Sequence, residues 1–64
     1  MTIGDIYNII DPTNTVLITQ GDVVTMVFEK KEQMPLHLKD CYVEKISAGQ
    51  SDLFGLYISI ELVY

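Results

Sequence analysis

The chain has 64 residues, 48% of them hydrophobic, with nine acidic residues against four lysines and no arginine, so its net charge is −5. A chain of this length forms one small domain, the single Cys41 excludes an internal disulfide, and the negative charge argues against binding duplex nucleic acid through phosphate neutralisation. No apolar run is long enough to cross a bilayer, and we expect a cytoplasmic protein that is held together by packing alone.

The N-terminus predicts a short helix. Thr2 and Asp5 stand at the spacing of a capping box, in which each side chain bonds to the backbone of the other residue. The Asp11-Pro12 pair ends the helix after about two turns, because the residue before a proline avoids helical dihedrals. The helix carries an apolar stripe at spacings of three and four, made of Ile3, Ile6, Tyr7 and Ile10. So short a helix is stable only if this stripe docks on a larger element.

A β-hairpin follows the helix. Residues 15–19 and 23–28 are rich in β-branched side chains, and Gly21 between them favours a tight turn. The chain then turns polar over residues 29–33. Residues 34–40 combine Pro35 with two leucines, which indicates a turn or a single 3₁₀ turn that crosses over the sheet.

The C-terminal half predicts a second hairpin. Residues 41–47 form a third strand, in which the spacing of Val43 and Ile46 breaks strict alternation and indicates a bulge. Residues 48–52 are small or turn-forming and are predicted to be a long loop. Residues 55–64 alternate at period two. One side of this last strand carries Leu56, Ile58, Ile60 and Leu62, and the other carries Tyr57, Ser59, Glu61 and Val63.

Together these elements predict an α+β fold, with a short N-terminal helix packed on a four-stranded, mainly antiparallel sheet made of two hairpins. The predicted core is Ile3, Ile6 and Ile10 against Val16, Ile18, Val24, Met26, Phe28, Ile58 and Ile60. The outer side of the sheet is also partly apolar, and a chain this short cannot cover a second apolar surface. We therefore predict a homo-oligomer, dimeric or larger, whose self-association face consists of Leu17, Val23, Val27, Tyr57 and Val63.

The residues that most often carry chemistry are scarce in this chain. His37 and Cys41 are its only histidine and cysteine, and neither stands at catalytic or metal-ligand spacing from a partner group. Asp40 directly precedes Cys41, and its negative charge disfavours a reactive thiolate. We therefore predict that the protein is not an enzyme and that it uses no metal or cofactor.

The acidic residues are dispersed through turns and strands without the spacing of a calcium loop. On a functional interpretation they combine into a negative surface that imitates nucleic-acid phosphates and occupies a basic groove on another protein. The candidate residues for this partner surface are Glu29, Glu32, Asp40, Glu44 and Glu61. The alternative is that these charges only keep an apolar domain soluble.

The layout of nearly the whole chain resembles small accessory proteins encoded by phages and mobile elements of Gram-positive bacteria. The most recognisable stretch is 43–48, followed by the closing strand at 56–60. The resemblance implies a protein of the bacterial cytoplasm that acts by stoichiometric binding, as an inhibitor of a host defence protein. Two alternatives stay open, namely an oligomer that sequesters a nucleotide signal through tyrosines, lysines and backbone amides, and a purely structural assembly module.

Overall fold

The structure, a computed structural model, describes residues 1–63 and has the predicted α+β architecture, with one short N-terminal helix and a four-stranded, mostly antiparallel sheet. Three 3₁₀ helices complete it; the last one lies in the predicted crossover between the hairpins, and the one before it was not predicted. In chain order the elements are α1 (Ile3–Ile6), a 3₁₀ helix (Tyr7–Ile9), β1 (Thr15–Gln20), β2 (Val23–Phe28), 3₁₀ helices at Lys31–Gln33 and Leu36–Asp40, β3 (Val43–Ser51) and β4 (Gly55–Leu62).

Carboxylates mark both ends of the N-terminal helical segment. The backbone N–H of Thr2 donates to Asp5 Oδ2 at 2.9 Å and the N–H of Asp5 donates to Thr2 Oγ1 at 3.4 Å, so the predicted capping box is present. Asp11 Oδ1 accepts from the N–H and the hydroxyl of Thr13 at 2.8 and 2.7 Å. In both cases the backbone N–H bond is the main cause that lowers the pKa of the carboxyl below its ordinary value of 3.8.

The sheet has the strand order β2-β1-β4-β3, so the two hairpins meet through a parallel pairing of β1 with β4. We call the side packed against α1 the inner face and the opposite side the outer face. One α-helical turn is too short to be stable in water, and α1 is held by the sheet below it. The buried hydrophobic cluster contains Ile3, Ile6, Ile10, Val16, Ile18, Met34, Leu38, Val43, Ile60 and Leu62.

A bulge in β2 corrects the predicted faces of the first hairpin. Ile18 pairs with Met26 but Thr19 pairs with Val24, which leaves Thr25 as an extra residue. Residues that face each other across two strands point to the same side. Val24 therefore lies on the outer face with Thr19, and its predicted place in the core is wrong. Val23, paired with Gln20, falls on the opposite side, so its predicted place on the outer face is also wrong.

The second hairpin is longer than predicted. Residues 48–51 belong to β3, so the predicted loop at 48–52 is wrong and the chain reverses between Ser51 and Gly55. The reason lies at Gly49, whose partner is Tyr57: a Cβ at position 49 would lie 2.6 Å from Tyr57 Oη, because the tyrosine ring occupies that space. The predicted bulge at the start of β3 is present at Glu44.

Candidate interaction surfaces

The exposed apolar residues of the outer face are confined to β2, where Val24 is 49% exposed. Leu17 lies on this face beside Val27 and Ser59 but is only 6% exposed, whereas Val27 is 46% exposed. Tyr57 is half-buried across Gly49. The other outer-face residues of β1, β3 and β4 are polar or small: Thr15, Thr19, Lys45, Ser47, Gly49, Ser59 and Glu61.

Two residues of the predicted self-association face lie away from this group. Val23 is on the other side of the sheet at the turn of the first hairpin. Val63 follows the end of β4, where its N–H donates to the carbonyl of Tyr42 at 3.0 Å. Both side chains are exposed, but the sheet brings only Leu17, Val27 and Tyr57 together. The five residues therefore do not form one contiguous apolar patch.

The inner face of the second hairpin is covered over only part of its length. Ile60 is fully buried under the helical segment, while Leu56, on the same side of the same strand, is 59% exposed. Their neighbours on β3 follow the same gradient, because Val43 is buried whereas Ile46 and Ala48 are exposed. We define the hairpin patch as Ile46, Ala48 and Leu56 together with the turn residue Leu53.

Element lengths explain this patch. The seven helical residues from Ile3 to Ile9 span about 12 Å, whereas the eight residues of β4 span about 26 Å. The helix therefore cannot reach the turn end of the hairpin. The sequence indicates this mismatch, because Asp11-Pro12 limits the length of the helix whereas the closing strand is longer. The mismatch predicts an exposed apolar surface on the inner face, not on the outer face.

The strand order leaves β2 and β3 at the edges of the sheet. β3 pairs with β4 without interruption from Lys45 to Ser51, while β2 is broken by its bulge at Thr25. Within residues 1–63 no strand pairs with the outer edge of β3 from Lys45 to Ser51, but the N-terminal segment covers the start of that edge, where the N–H of Val43 donates to the carbonyl of Met1 at 2.8 Å. Alternate N–H and C=O groups of an edge strand point away from the sheet. The longest regular open edge thus belongs to the hairpin that carries the patch.

A polar depression of about 180 Å³ lies on the outer face near the ends of β1 and β4. It combines one ammonium group, two carboxylates and three hydroxyls. Its lining residues are Thr19, Asp22, Lys45, Ser47, Ser59 and Glu61. Cross-strand pairing sets Glu61 between Thr19 and Lys45, and Ser59 beside Ser47. No histidine or cysteine lines the depression, so these groups can bind a polar ligand but provide no base beside a strong nucleophile.

The residues of the predicted acidic surface lie in several different elements. Glu29 follows Phe28, which pairs with Val16 near the start of β1, and Glu32 lies in the next 3₁₀ helix. Glu61, in contrast, pairs with Thr19 near the end of β1. Asp40 ends the 3₁₀ helix that precedes β3, and Glu44 lies at the bulge beside Glu61. Glu29 and Glu61 therefore lie near opposite ends of β1.

Two of the four lysines are engaged with the helical segment. Lys31 Nζ donates to the carbonyl oxygen of Tyr7 at 2.9 Å and lies 4.7 Å from the centre of its ring, and Lys39 Nζ lies 4.3 Å from the same centre. These contacts attach the crossover to the helix. His37 is exposed on the crossover, and Cys41 is partly buried against the core.

No protein-family model, curated protein or solved structure matches the chain. Among residues 1–63, no helix has the length and apolar character that a membrane span requires. The same residues contain no group of three histidine, cysteine, aspartate or glutamate side chains placed to hold a metal ion.

Proposed function

We propose that this protein is a non-enzymatic, self-associating module that acts by stoichiometric binding. The observation that carries the proposal is the contrast between Ile60, which is fully buried, and Leu56, which is 59% exposed on the same side of β4. Burying an aliphatic side chain completely stabilises a structure by about 1.5–3 kcal/mol. A small domain that leaves Ile46 and Leu56 in water has a substantial driving force for covering them with another surface.

A second copy of the chain is the proposed occupant of the hairpin patch. The patch is the uncovered part of the inner face. A second copy carries the same uncovered apolar surface, so each copy can cover the patch of the other. Each protomer carries a net charge of −5, and the two copies repel each other at long range. Salt screens this repulsion, so we expect association to strengthen as ionic strength rises, the reverse of a complex that depends on opposite charges.

Size-exclusion chromatography with light scattering, from micromolar to millimolar chain, tests the proposal. We expect the molar mass to rise above the 7.3 kDa of one chain for the native sequence, but not for Leu56→Ser. The matched control is Leu36→Ser, because Leu36 is also highly exposed but lies on the crossover. Its association should equal that of the native chain. A native chain that stays at 7.3 kDa throughout would refute the proposal.

A second candidate function is the binding of a small molecule in the polar depression. Lys45 offers a cation there, but Asp22 and Glu61 contribute two carboxylates, and these repel phosphate. The chemistry therefore favours a ligand that carries an ammonium group and a carboxylate over the nucleotide signal considered from the sequence. A thermal-shift comparison of amino acids with mono-, di- and cyclic nucleotides discriminates the two, and Lys45→Met should abolish a genuine shift.

A host protein is the further partner in this proposal. The net charge of −5 favours a basic surface on that partner, and the free thiol of Cys41 suits a reducing cytoplasm. Such a complex should weaken steeply as salt is added, and a salt-insensitive complex would contradict the electrostatic part. The phage or mobile-element origin, the anti-defence role and the purely structural alternative stay predictions.

A further inference from the structure

We infer that a second copy pairs antiparallel along the open edge of β3, joining two four-stranded sheets into one of eight strands. This inference rests on the proposed self-association and specifies its geometry. It places the two hairpin patches next to each other on a continuous inner face. The interface would consist of backbone hydrogen bonds between the two β3 strands and of the apolar side chains beside them.

The edge itself favours a strand as the partner. From Lys45 to Ser51, β3 is regular, paired on one side and open on the other. The N–H and C=O groups on its open edge are equivalent to those on the opposite edge, which form hydrogen bonds with β4. A helix or an irregular loop placed there would leave most of these backbone groups hydrogen-bonded only to water. An identical strand supplies the same number of donors and acceptors at the same spacing.

Charge and side-chain pattern favour one register, with a two-fold axis at Ser47. Ile46 of each copy then faces Ala48 of the other on the inner face, and Lys45 faces Gly49 on the outer face. Glu44 faces Gln50. No charged residue of β3 meets a like charge, and the apolar side chains of both copies become neighbours.

The neighbouring registers are worse. An axis at Ala48 sets Glu44 against Asp52 of the second copy. An axis at Lys45 sets two lysines against each other. Like charges directly opposite each other are destabilising in a sheet. An axis at Ile46 sets Glu44 against Ala48, which directs a carboxylate toward the apolar part of the interface.

Disulfide trapping tests this register. In a Cys41→Ala background, Ser47→Cys places one thiol from each copy at the two-fold axis. Opposite Cβ atoms there lie about 4.5–5.5 Å apart, so a small movement of the two strands allows a disulfide to form. The matched control is Gln50→Cys, which is also exposed on β3 but faces Glu44 in this register. We expect rapid formation of a disulfide-linked dimer for Ser47→Cys under mild oxidation and at least a tenfold slower reaction for Gln50→Cys.

A charge at the centre of the interface provides the independent test. Ala48→Lys should lower the fraction of dimer at least tenfold, because the lysine would face Ile46 of the second copy. Ala48 is exposed, so the variant should keep the circular dichroism spectrum of the native fold. Val23→Lys adds the same charge on the other edge strand, where Val23 is 62% exposed, and should leave the dimer unchanged.

The outcomes separate this inference from the proposed function. A native dimer that survives Ala48→Lys but is lost in Val23→Lys would overturn pairing along β3 and leave self-association standing. Equal trapping of Ser47→Cys and Gln50→Cys would overturn the register. A native chain that is monomeric at every concentration would remove both the inference and the proposed function.

Discussion

Alanine at Ile60 and at Leu56 should have very different effects on the stability of the monomer. The two residues lie four apart on β4 and point to the same side, but Ile60 is fully buried and Leu56 is 59% exposed. They form a matched pair in one strand. The comparison therefore measures how far along the hairpin the helical segment protects the inner face.

The magnitudes follow from burial. Truncating a fully buried isoleucine to alanine costs about 2–5 kcal/mol, because the lost transfer energy is added to that of the cavity. Leu56 keeps only about two fifths of its surface away from water, so its truncation should cost about 1 kcal/mol or less. A domain of this size has about 3–10 kcal/mol of total stability. Ile60→Ala therefore removes much of it, and Ile60→Val, which costs about 0.5–1.5 kcal/mol, serves as the milder variant.

Urea unfolding followed by circular dichroism measures this difference. The experiment is done at a chain concentration low enough that only monomer is present, so that association does not contribute to the free energy of unfolding. We expect Leu56→Ala to unfold near the native midpoint and Ile60→Val to unfold at lower urea. If Leu56→Ala were as destabilising as Ile60→Ala under these conditions, the inner face would be covered along its whole length and the hairpin patch would not exist.

Three further predictions concern the N-terminal segment. Thr2→Ala should lower the free energy of unfolding by about 1 kcal/mol in urea titrations, because it removes the hydroxyl that accepts a hydrogen bond from the N–H of Asp5. The pKa of Asp5 is lowered in the folded state, so its contribution is complete above pH 3.8 and is lost as the pH falls through the folded pKa. Asp5→Asn should therefore flatten the acid limb of a stability–pH curve, and an unchanged limb would contradict this assignment. Lys39→Met should cost about 0.5–1 kcal/mol through its lost contact with the Tyr7 ring, whereas a neutral result would show that the contact is only incidental.

Local signals in the sequence predicted most of the elements. The capping box fixes the start of α1 because its two hydrogen bonds depend only on residues three apart. The first hairpin follows from β-branched runs around Gly21, which takes a positive φ of 58°. The fold class then follows, since a short amphipathic helix and two hairpins have few other ways to bury their apolar sides.

The errors arise where a long-range contact outweighs a local preference. Residues 48–51 have the composition of a loop, but Tyr57 lies across Gly49 and completes the pairing of the second hairpin. Local propensity cannot reveal this contact, which spans the turn. The extra residue Thr25 in β2 caused the second error, because one inserted residue reverses the side of the sheet on which Val23 and Val24 lie.

The candidate surface was predicted less well than the fold. Alternation identifies two sides of each strand, but it does not tell how much of each side the helix covers. Leu17 was expected to be free on the outer face and is buried, whereas Leu56 was expected in the alternating core stripe and is largely exposed. Both outcomes depend on the length of the helical segment and on where it crosses the sheet, which are properties of the assembled domain.

The central claim, that the half-covered inner face requires a second copy, is tested most directly by sedimentation equilibrium of the unmodified chain. We expect the weight-average mass to rise with concentration from 7.3 kDa toward twice that value, and to rise further at a given concentration when salt is added. A mass that stays at that of a single chain, at every concentration and ionic strength, would contradict the claim.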